Sequence, residues 1–359
     1  MIKLRLRIAC DPALEPFVVR IAEKDPQCDE DAVVAAQVPT GLVYRTTQVT
    51  FRIEGISHSE IVGDVLLIDP RRQIAHRLIR SSSPHNTLLV TEQCDQLCIM
   101  CSQPPKARHE DMFRFFLAAV KLAPPSIQIG LSGGEPLLHK AALFRFIDAV
   151  FTSRDDLTFH ILSNGQHLTR DDLPWLRQHR ERLLWGVPIY AADPRSHDEI
   201  VSKPGAFEQL SNGLAILGRA GAALELRTVI LIQNVQLLPQ LADFISRHVS
   251  FAMTWAIMQM ERIGFGRMNW AECFFDNSID FSSIGTAIDL MRARQQDVQL
   301  YNFPLCTVPP AYRDVAALSI SDWKQKYLPC CAKCGLRDHC GGFFAWYREE
   351  DGFRGIQPQ

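Results

Sequence analysis

The amino-acid sequence predicts an α/β protein: an open, partial (β/α)6 barrel over residues 86–270, a small β-rich domain before it (1–85) and a cysteine-bearing extension after it (271–359). Three features predict this. From residue 87 short apolar strands alternate with helix-length segments. Before that point apolar residues recur with period 2 rather than 3.6. The cysteines, finally, gather early in the barrel and again near the C-terminus.

In the N-terminal part Val49, Phe51 and Ile53 alternate with Thr50 and Arg52, the pattern of a half-buried strand. Val65-Leu66-Leu67-Ile68, the turn Asp69-Pro70-Arg71-Arg72 and the run Ile74–Ile79 read as strand, turn, strand. The turn-rich stretch Ser81–Asn86 marks the boundary. An exposed edge in such a domain can dock a peptide by strand addition; the alternative is a packing role. His76 and His85 read as surface residues.

The barrel strands are expected at 87–92, 126–131, 157–162, 184–190, 224–232 and 252–259. Between them, segments such as Met112–Val120 and Ala142–Phe151 carry apolar residues at helical spacing. Repeated β–α units imply a parallel sheet with right-handed crossovers. Six units are too few for an eight-fold barrel, and in such sheets chemistry gathers at the C-terminal ends of the strands.

Of 359 residues 47% are hydrophobic and 22% charged, which excludes a disordered chain, a collagen-like fibre and a disulfide-stapled miniprotein. Lys and Arg number 38 against 40 Asp and Glu, a formal net charge of −2. No whole-molecule field gathers nucleic acid or anionic membrane. Runs such as Val65–Ile68 fall far short of the ~20 residues that cross a bilayer. Met1–Arg7 alternates charged and apolar residues, unlike a signal peptide, so a cytoplasmic location is expected.

Eleven cysteines without a secretory signal point to metal or redox chemistry. Cys10, Cys28 and Cys273 stand apart and read as scattered core residues. Cys94, Cys98 and Cys101 form C-x3-C-x2-C directly after the first barrel strand. Three thiolates so spaced can hold three corners of an iron–sulfur cube and leave the fourth iron open. A zinc site with His109 as fourth ligand is the alternative.

Here the sequence resembles the radical S-adenosylmethionine (SAM) superfamily, in which this motif follows the first strand of a β/α barrel. The resemblance implies a [4Fe-4S] cluster on the catalytic Cys94, Cys98 and Cys101. Its open iron would chelate SAM, and reductive cleavage would yield a 5′-deoxyadenosyl radical. Gly133, Gly134 and Glu135, after the second strand, resemble the family's GGE motif; Ser163-Asn164-Gly165 ends the third strand, and Arg227 lies in the fifth. By resemblance these are the SAM-binding residues. Taken alone, Gly-Gly-Glu-Pro and Ser-Asn-Gly are ordinary turns and Arg227 a surface strand residue. Met100 stands where the family usually has an aromatic residue.

Near the C-terminus Cys331, Cys334 and Cys340 form C-x2-C-x5-C, similar to the middle of the motif in SPASM and Twitch extensions, which hold auxiliary clusters. The full SPASM pattern has a further Cys where this chain has Phe344. The resemblance implies a single auxiliary iron–sulfur cluster with Cys306 as fourth ligand and with Cys330 able to replace Cys331. A four-cysteine zinc knuckle is the alternative.

Over nearly its full length the chain resembles the His-Xaa-Ser system radical SAM maturases, particularly in Leu97–Lys106 and Tyr327–Cys331. That implies post-translational modification of a His-Xaa-Ser repeat peptide, alongside a sister maturase and a reductant protein. Tyr190, Asp193 and His197 after the fourth strand, and Glu261 and Arg262 after the sixth, are candidates for handling substrate; the alternative for each is capping or salt-bridging. Rival readings are radical SAM chemistry on a small molecule or RNA, and a non-catalytic iron–sulfur or zinc scaffold.

Overall fold

In a computed structural model the described residues run from 2 to 358. Strands β1 (Arg5–Ala9), β2 (Phe17–Ile21), β3 (Asp31–Val38), β4 (Gly41–Arg45), β5 (Thr50–Ile53), β6 (Val65–Asp69) and β7 (Ile74–Ile79) form a closed barrel in the order β1-β5-β4-β3-β2-β6-β7. Alternation decides which side chains fill it. On β1, Leu6 and Ile8 are buried while Arg5 and Arg7 face out. Tyr44, Phe51, Ile53, Leu66 and Ile68 join them in one apolar core. Within that core Arg77 and Asp64 form an ion pair with side chains only 3% and 2% exposed. The guanidinium also donates to the carbonyl of Glu60 at 2.8 Å, so the buried charge is saturated with partners. Closure joins β1 to both β5 and β7. A closed barrel offers no free edge, which removes the strand-addition mode of peptide docking expected above.

The second sheet contains β8 (Asn86–Thr91), β9 (Gln128–Gly133), β10 (Thr158–Leu162), β11 (Leu183–Pro188), β12 (Ala223–Val229), β13 (Thr254–Met258) and β14 (Val298–Tyr301), in chain order from one edge to the other. The pairs β11–β12, β12–β13 and β13–β14 are parallel. Helices α1 (Phe113–Lys121), α2 (Lys140–Ser153), α3 (Leu173–His179), α4 (Pro194–Val201), α5 (Ala206–Ala220) and α6 (Leu238–His248) supply the connections. This is the expected α/β architecture with its small β-rich N-terminal domain. The six expected strands are present, and β14, which the sequence did not predict, adds a seventh at the edge. Among the described residues no helix is long and apolar enough to cross a membrane.

The chain divides into two compact units that cut across the three segments drawn from composition. The first runs to Val90 and adds Glu110–Ser132 and His139–Phe159; the second takes Thr91–His109, Gly133–Leu138 and the chain from His160 onward. Within the first, α1 packs against β2, β6 and β7 through a face that buries Phe116, Ala119 and Val120. The second holds every residue from Cys94 onward that the sequence marked for chemistry.

Candidate active site and a second cysteine centre

The loop after β8 carries Cys94, Cys98 and Cys101. Its backbone is tied down by neighbours distant in sequence. The Leu97 and Ile99 N–H groups donate to Val201 and Ile200 carbonyls at the end of α4, at 3.1 and 3.0 Å. Phe265 N–H, from the short helix α7 (Gly264–Met268), donates to the Cys101 carbonyl at 2.8 Å. Gly264 has φ +57°, and a Cβ there would lie 2.5 Å from the Cys101 oxygen, so only glycine lets α7 approach this closely. The three thiols are half-buried and mutually repelling when ionised. Burial pushes Cys94 up to about 11 and raises Cys98 and Cys101 as well; the neighbouring thiols raise Cys94 and Cys98 further.

The Gly-Gly-Glu turn sits directly against this loop. Gly134 N–H donates to Thr91 O at 2.8 Å and Glu135 N–H to Gln93 O at 2.7 Å. Gly133 has φ +148°, and a Cβ there would fall 1.9 Å from the Thr91 oxygen. Glycine is thus required at Gly133 to seat the turn on the cysteine loop.

Glu135 is fully buried. Its Oε1 accepts from Ser163 Oγ and from Leu137 N–H, both at 2.8 Å, and its Oε2 accepts from Asn164 N–H at 2.6 Å. Burial pushes its carboxyl up, against the pull of these donors. The sequence assigned Glu135 to the cofactor; here its side chain ties the Gly-Gly-Glu turn to Ser-Asn-Gly.

A residue the sequence reading missed completes the frame. Asp95 accepts from Asn164 Nδ2 at 3.0 Å, lies 3.1 Å from His167 Nε2, and pairs with Lys203, whose ammonium also donates to Gln166 Oε1 at 2.8 Å. Burial raises its carboxyl, but the hydrogen bonds from His167 and Lys203 outweigh that and hold it well below the usual range. Adjacency to Cys94 was the available signal for Asp95. Nothing local marks Lys203, 108 positions away.

Arg227 is not free-standing. It pairs with Glu225, its guanidinium lies 5.8 Å from the centre of the Tyr301 ring, and the Tyr301 hydroxyl donates to Glu225 at 3.0 Å. His160, 3.6 Å from Glu225, is driven down to about 4 by burial and is neutral at pH 7. Glu225 was detectable two positions from Arg227 on one strand face; Tyr301 was not, since β14 was not expected.

The substrate-handling candidates separate. Tyr190 is buried beside Met100 and Cys98. Burial drives its phenol far above the ordinary value, and Cys98 and Cys101 add to the shift. His197 is 1% exposed, accepts from Tyr190 N–H at 3.3 Å and is driven down to about 4 by burial, so it is a neutral packing histidine and not an acid–base group at the barrel mouth. Asp193 caps α4 by accepting from Ser196 N–H at 2.9 Å. Glu261 pairs with Lys324 at 2.7 Å, and Arg262 with Asp351. Capping and salt-bridging thus account for Asp193, Glu261 and Arg262. His109 Nδ1 lies 3.1 Å from Thr91 Oγ1. His76 is partly buried rather than a surface residue, and His85 is exposed.

Near the C-terminus β15 (Gln325–Lys326) pairs antiparallel with β16 (Phe343–Phe344). Around this ribbon Cys306, Cys330, Cys331, Cys334 and Cys340 line a pocket of ≈ 380 Å³ that opens to solvent. Burial pushes Cys306 up to about 12, with Cys340, Cys331 and Cys334 contributing; the Cys330 side chain is exposed. Cys340 Sγ accepts from Leu305 and Gly342 N–H groups at 3.3 and 3.4 Å, the kind of contact that stabilises a thiolate ligand. Among the described residues no three His, Cys, Asp or Glu side chains close tightly enough to grip one metal ion.

No protein-family model matches the chain. The AdoMet-dependent heme synthase of Methanosarcina barkeri (strain Fusaro / DSM 804) is 28% identical over 153 residues, 41% of this chain and 42% of the synthase. The chain thus spans less than half of that relative's length. Among solved structures, SuiB of Streptococcus suis bound to S-adenosylmethionine is similar over 62% of this chain and 51% of SuiB, at 12% identity and TM-score 0.49. Native anSMEcpe with bound AdoMet matches over 59% of this chain and 63% of that one, at 10% identity and TM-score 0.45. A radical SAM methyltransferase from Sphaerobacter thermophilus matches over 72% of each chain, at 12% identity and TM-score 0.43.

Proposed function

We infer that this chain is a radical SAM enzyme that modifies a peptide or protein. The observation that carries the reading is the assembly of three sequence motifs into one frame: the C-x3-C-x2-C loop, the Gly-Gly-Glu turn hydrogen-bonded to it, and Ser-Asn-Gly held by the Glu135 carboxylate. The donor set fits the implied group. Three half-buried thiols on one loop suit a [4Fe-4S] cluster with one open iron. When bound, that cluster supplies the electron that cleaves the carbon–sulfur bond of SAM and leaves a 5′-deoxyadenosyl radical for hydrogen abstraction.

The chain's own residues divide the remaining work. Cys94, Cys98 and Cys101 hold the cluster. The backbone at Gly133 and Gly134, the Ser163 and Asn164 pair and Arg227 contact SAM. Glu135 and Asp95 fix the geometry of those contacts, Glu135 through Ser163 and Asn164 and Asp95 through Asn164. Cys306, Cys331, Cys334 and Cys340 hold an auxiliary cluster. The peptide substrate follows from the likeness of this second pattern to SPASM and Twitch extensions. A His-Xaa-Ser repeat peptide, a sister maturase and a reductant protein in the cytoplasm are the partners this reading names.

The test is 5′-deoxyadenosine release from SAM by anaerobically reconstituted, reduced protein, beside the Cys98→Ala variant. Release by the wild type alone is expected. Iron-replete protein that releases none, with or without a His-Xaa-Ser peptide, makes the chain a scaffold instead. Pulldown of that peptide, with SAM present, tests the substrate separately.

A further inference from the structure

One side of the N-terminal barrel carries a groove that the chemistry above does not use. Lys3, Arg5, Arg7, Thr40 and Glu54 line it beside Gly55, around ≈ 940 Å³ of space that includes its open mouth. Lys3, Arg5 and Arg7 occupy alternate positions and are exposed. Arg5 and Arg7 lie on β1, where alternation repeats a side chain about every 7 Å, and Lys3 precedes the strand. Arg5 and Arg7 make no ion pair among the described residues. The Lys3 ammonium donates only to the Gly55 carbonyl, at 3.2 Å. Glu54, the one carboxylate in the groove, is held by Arg52 at 3.0 Å. In a chain whose formal charge is −2, this gathers three cations, Arg5 and Arg7 without an ion pair, beside a single carboxylate that Arg52 already holds.

The repeat identifies the partner. An extended polypeptide shows the side chains of one face at the same interval of about 7 Å, so carboxylates at alternate positions meet Arg5 and Arg7 in register, with Lys3 beside them. Single-stranded nucleic acid fits less well, because the groove has no aromatic side chain on which a base stacks. Because the barrel is closed, recognition runs through side chains rather than through a shared sheet. We propose that this groove docks an extended acidic segment of a partner polypeptide, with carboxylates at alternate positions. The proposal stands apart from the radical SAM reading, and either can fail alone.

Fluorescence anisotropy tests it on the full chain. The probe is a fluorescein-labelled peptide of alternating Glu and Ser; the comparisons are its Lys–Ser counterpart and a uridine oligonucleotide of equal length. Saturable binding of the acidic peptide alone is expected, weakening about tenfold as salt rises from about 50 to about 300 mM. The double variant Arg5→Ser/Arg7→Ser should weaken it by a further order of magnitude, about tenfold at low salt. Both side chains are exposed, so the variant keeps its fold, which circular dichroism checks. Equal binding by variant and wild type, no binding of the acidic peptide, or tighter binding of the oligonucleotide each overturns the proposal.

Discussion

The two cysteine centres lie in one compact unit and differ in how they are built. Around Cys94, Cys98 and Cys101 the supports are polar and long-range: Asp95 reaches His167 and Lys203, and Glu135 reaches Ser163 and Asn164. Around Cys306, Cys331, Cys334 and Cys340 the supports are largely apolar, with the Leu305 and Gly342 N–H groups on Cys340 Sγ as polar contacts. Short 3-10 turns, a two-residue ribbon and a cluster of Leu328, Phe343, Tyr347 and Phe353 hold them. Buried polar networks fix directions, because a misaligned hydrogen bond in a low dielectric is costly. Apolar packing fixes volume and tolerates small shifts. A site that must aim a small molecule at a reacting atom needs the first construction, whereas a site that only holds a cluster can use the second.

The sharpest way to break this comparison is to delete one thiol from each centre. Cys98→Ala should lose SAM cleavage entirely. Cys334→Ala should lose the auxiliary cluster's share of iron while keeping some uncoupled 5′-deoxyadenosine release and yielding no modified peptide. Equal loss of release in both variants would show that the centres are not functionally separable. Glu135→Ala probes the polar frame directly. It leaves the Asn164 and Leu137 N–H groups buried without their acceptor, a cost of about 2–4 kcal/mol. Urea unfolding of the protein before cluster loading should show that loss, with Glu135→Gln closer to wild type. An Ala variant of wild-type stability would mean that the carboxylate's contacts carry little.

A smaller effect separates the vicinal cysteines. Cys330 is exposed whereas Cys331 is half-buried, so Cys330→Ala should bind as much iron as wild type and Cys331→Ala should bind less. The reverse order would exchange their roles. The smallest expected effect lies in the N-terminal barrel, as a reference outside both centres. Asp31 is buried against Arg20, with Nε–Oδ1 2.7 Å apart. Burial raises its carboxyl, but the Arg20 hydrogen bond and the Gln27 and Cys28 N–H groups win and lower it. With the folded pKa below the unfolded one, the contribution is complete above the unfolded value and is lost as pH falls through the folded value. Between about pH 6 and about pH 3 the wild type should therefore lose more stability than Asp31→Asn. Parallel pH profiles would remove Asp31 from the acid limb.

Local sequence was enough for much of this molecule. Period-2 alternation around Phe51 and from Val65 to Ile79 marked β5, β6 and β7 of the first sheet but not β1 to β4, and the switch to β–α alternation after residue 87 marked the second. The cysteine spacings put Cys94, Cys98 and Cys101 on one loop and Cys331, Cys334 and Cys340 on another, whereas Cys306, well before Cys331 in sequence, meets the second group only in the fold. Strand β14 escaped because four residues, Val298–Tyr301, carry too little pattern; its pairing with β13 makes it a strand. Barrel closure was equally hidden, because the pairing of β1 with both β5 and β7 leaves no mark on β1 itself. The Glu135 and Asp95 networks join residues 28 to 108 positions apart, and the neutral state of His197 comes from the groups that bury it. Sequence sets what each residue offers, and tertiary structure decides which offers meet, because hydrogen bonds and desolvation depend on distances that chain order does not encode.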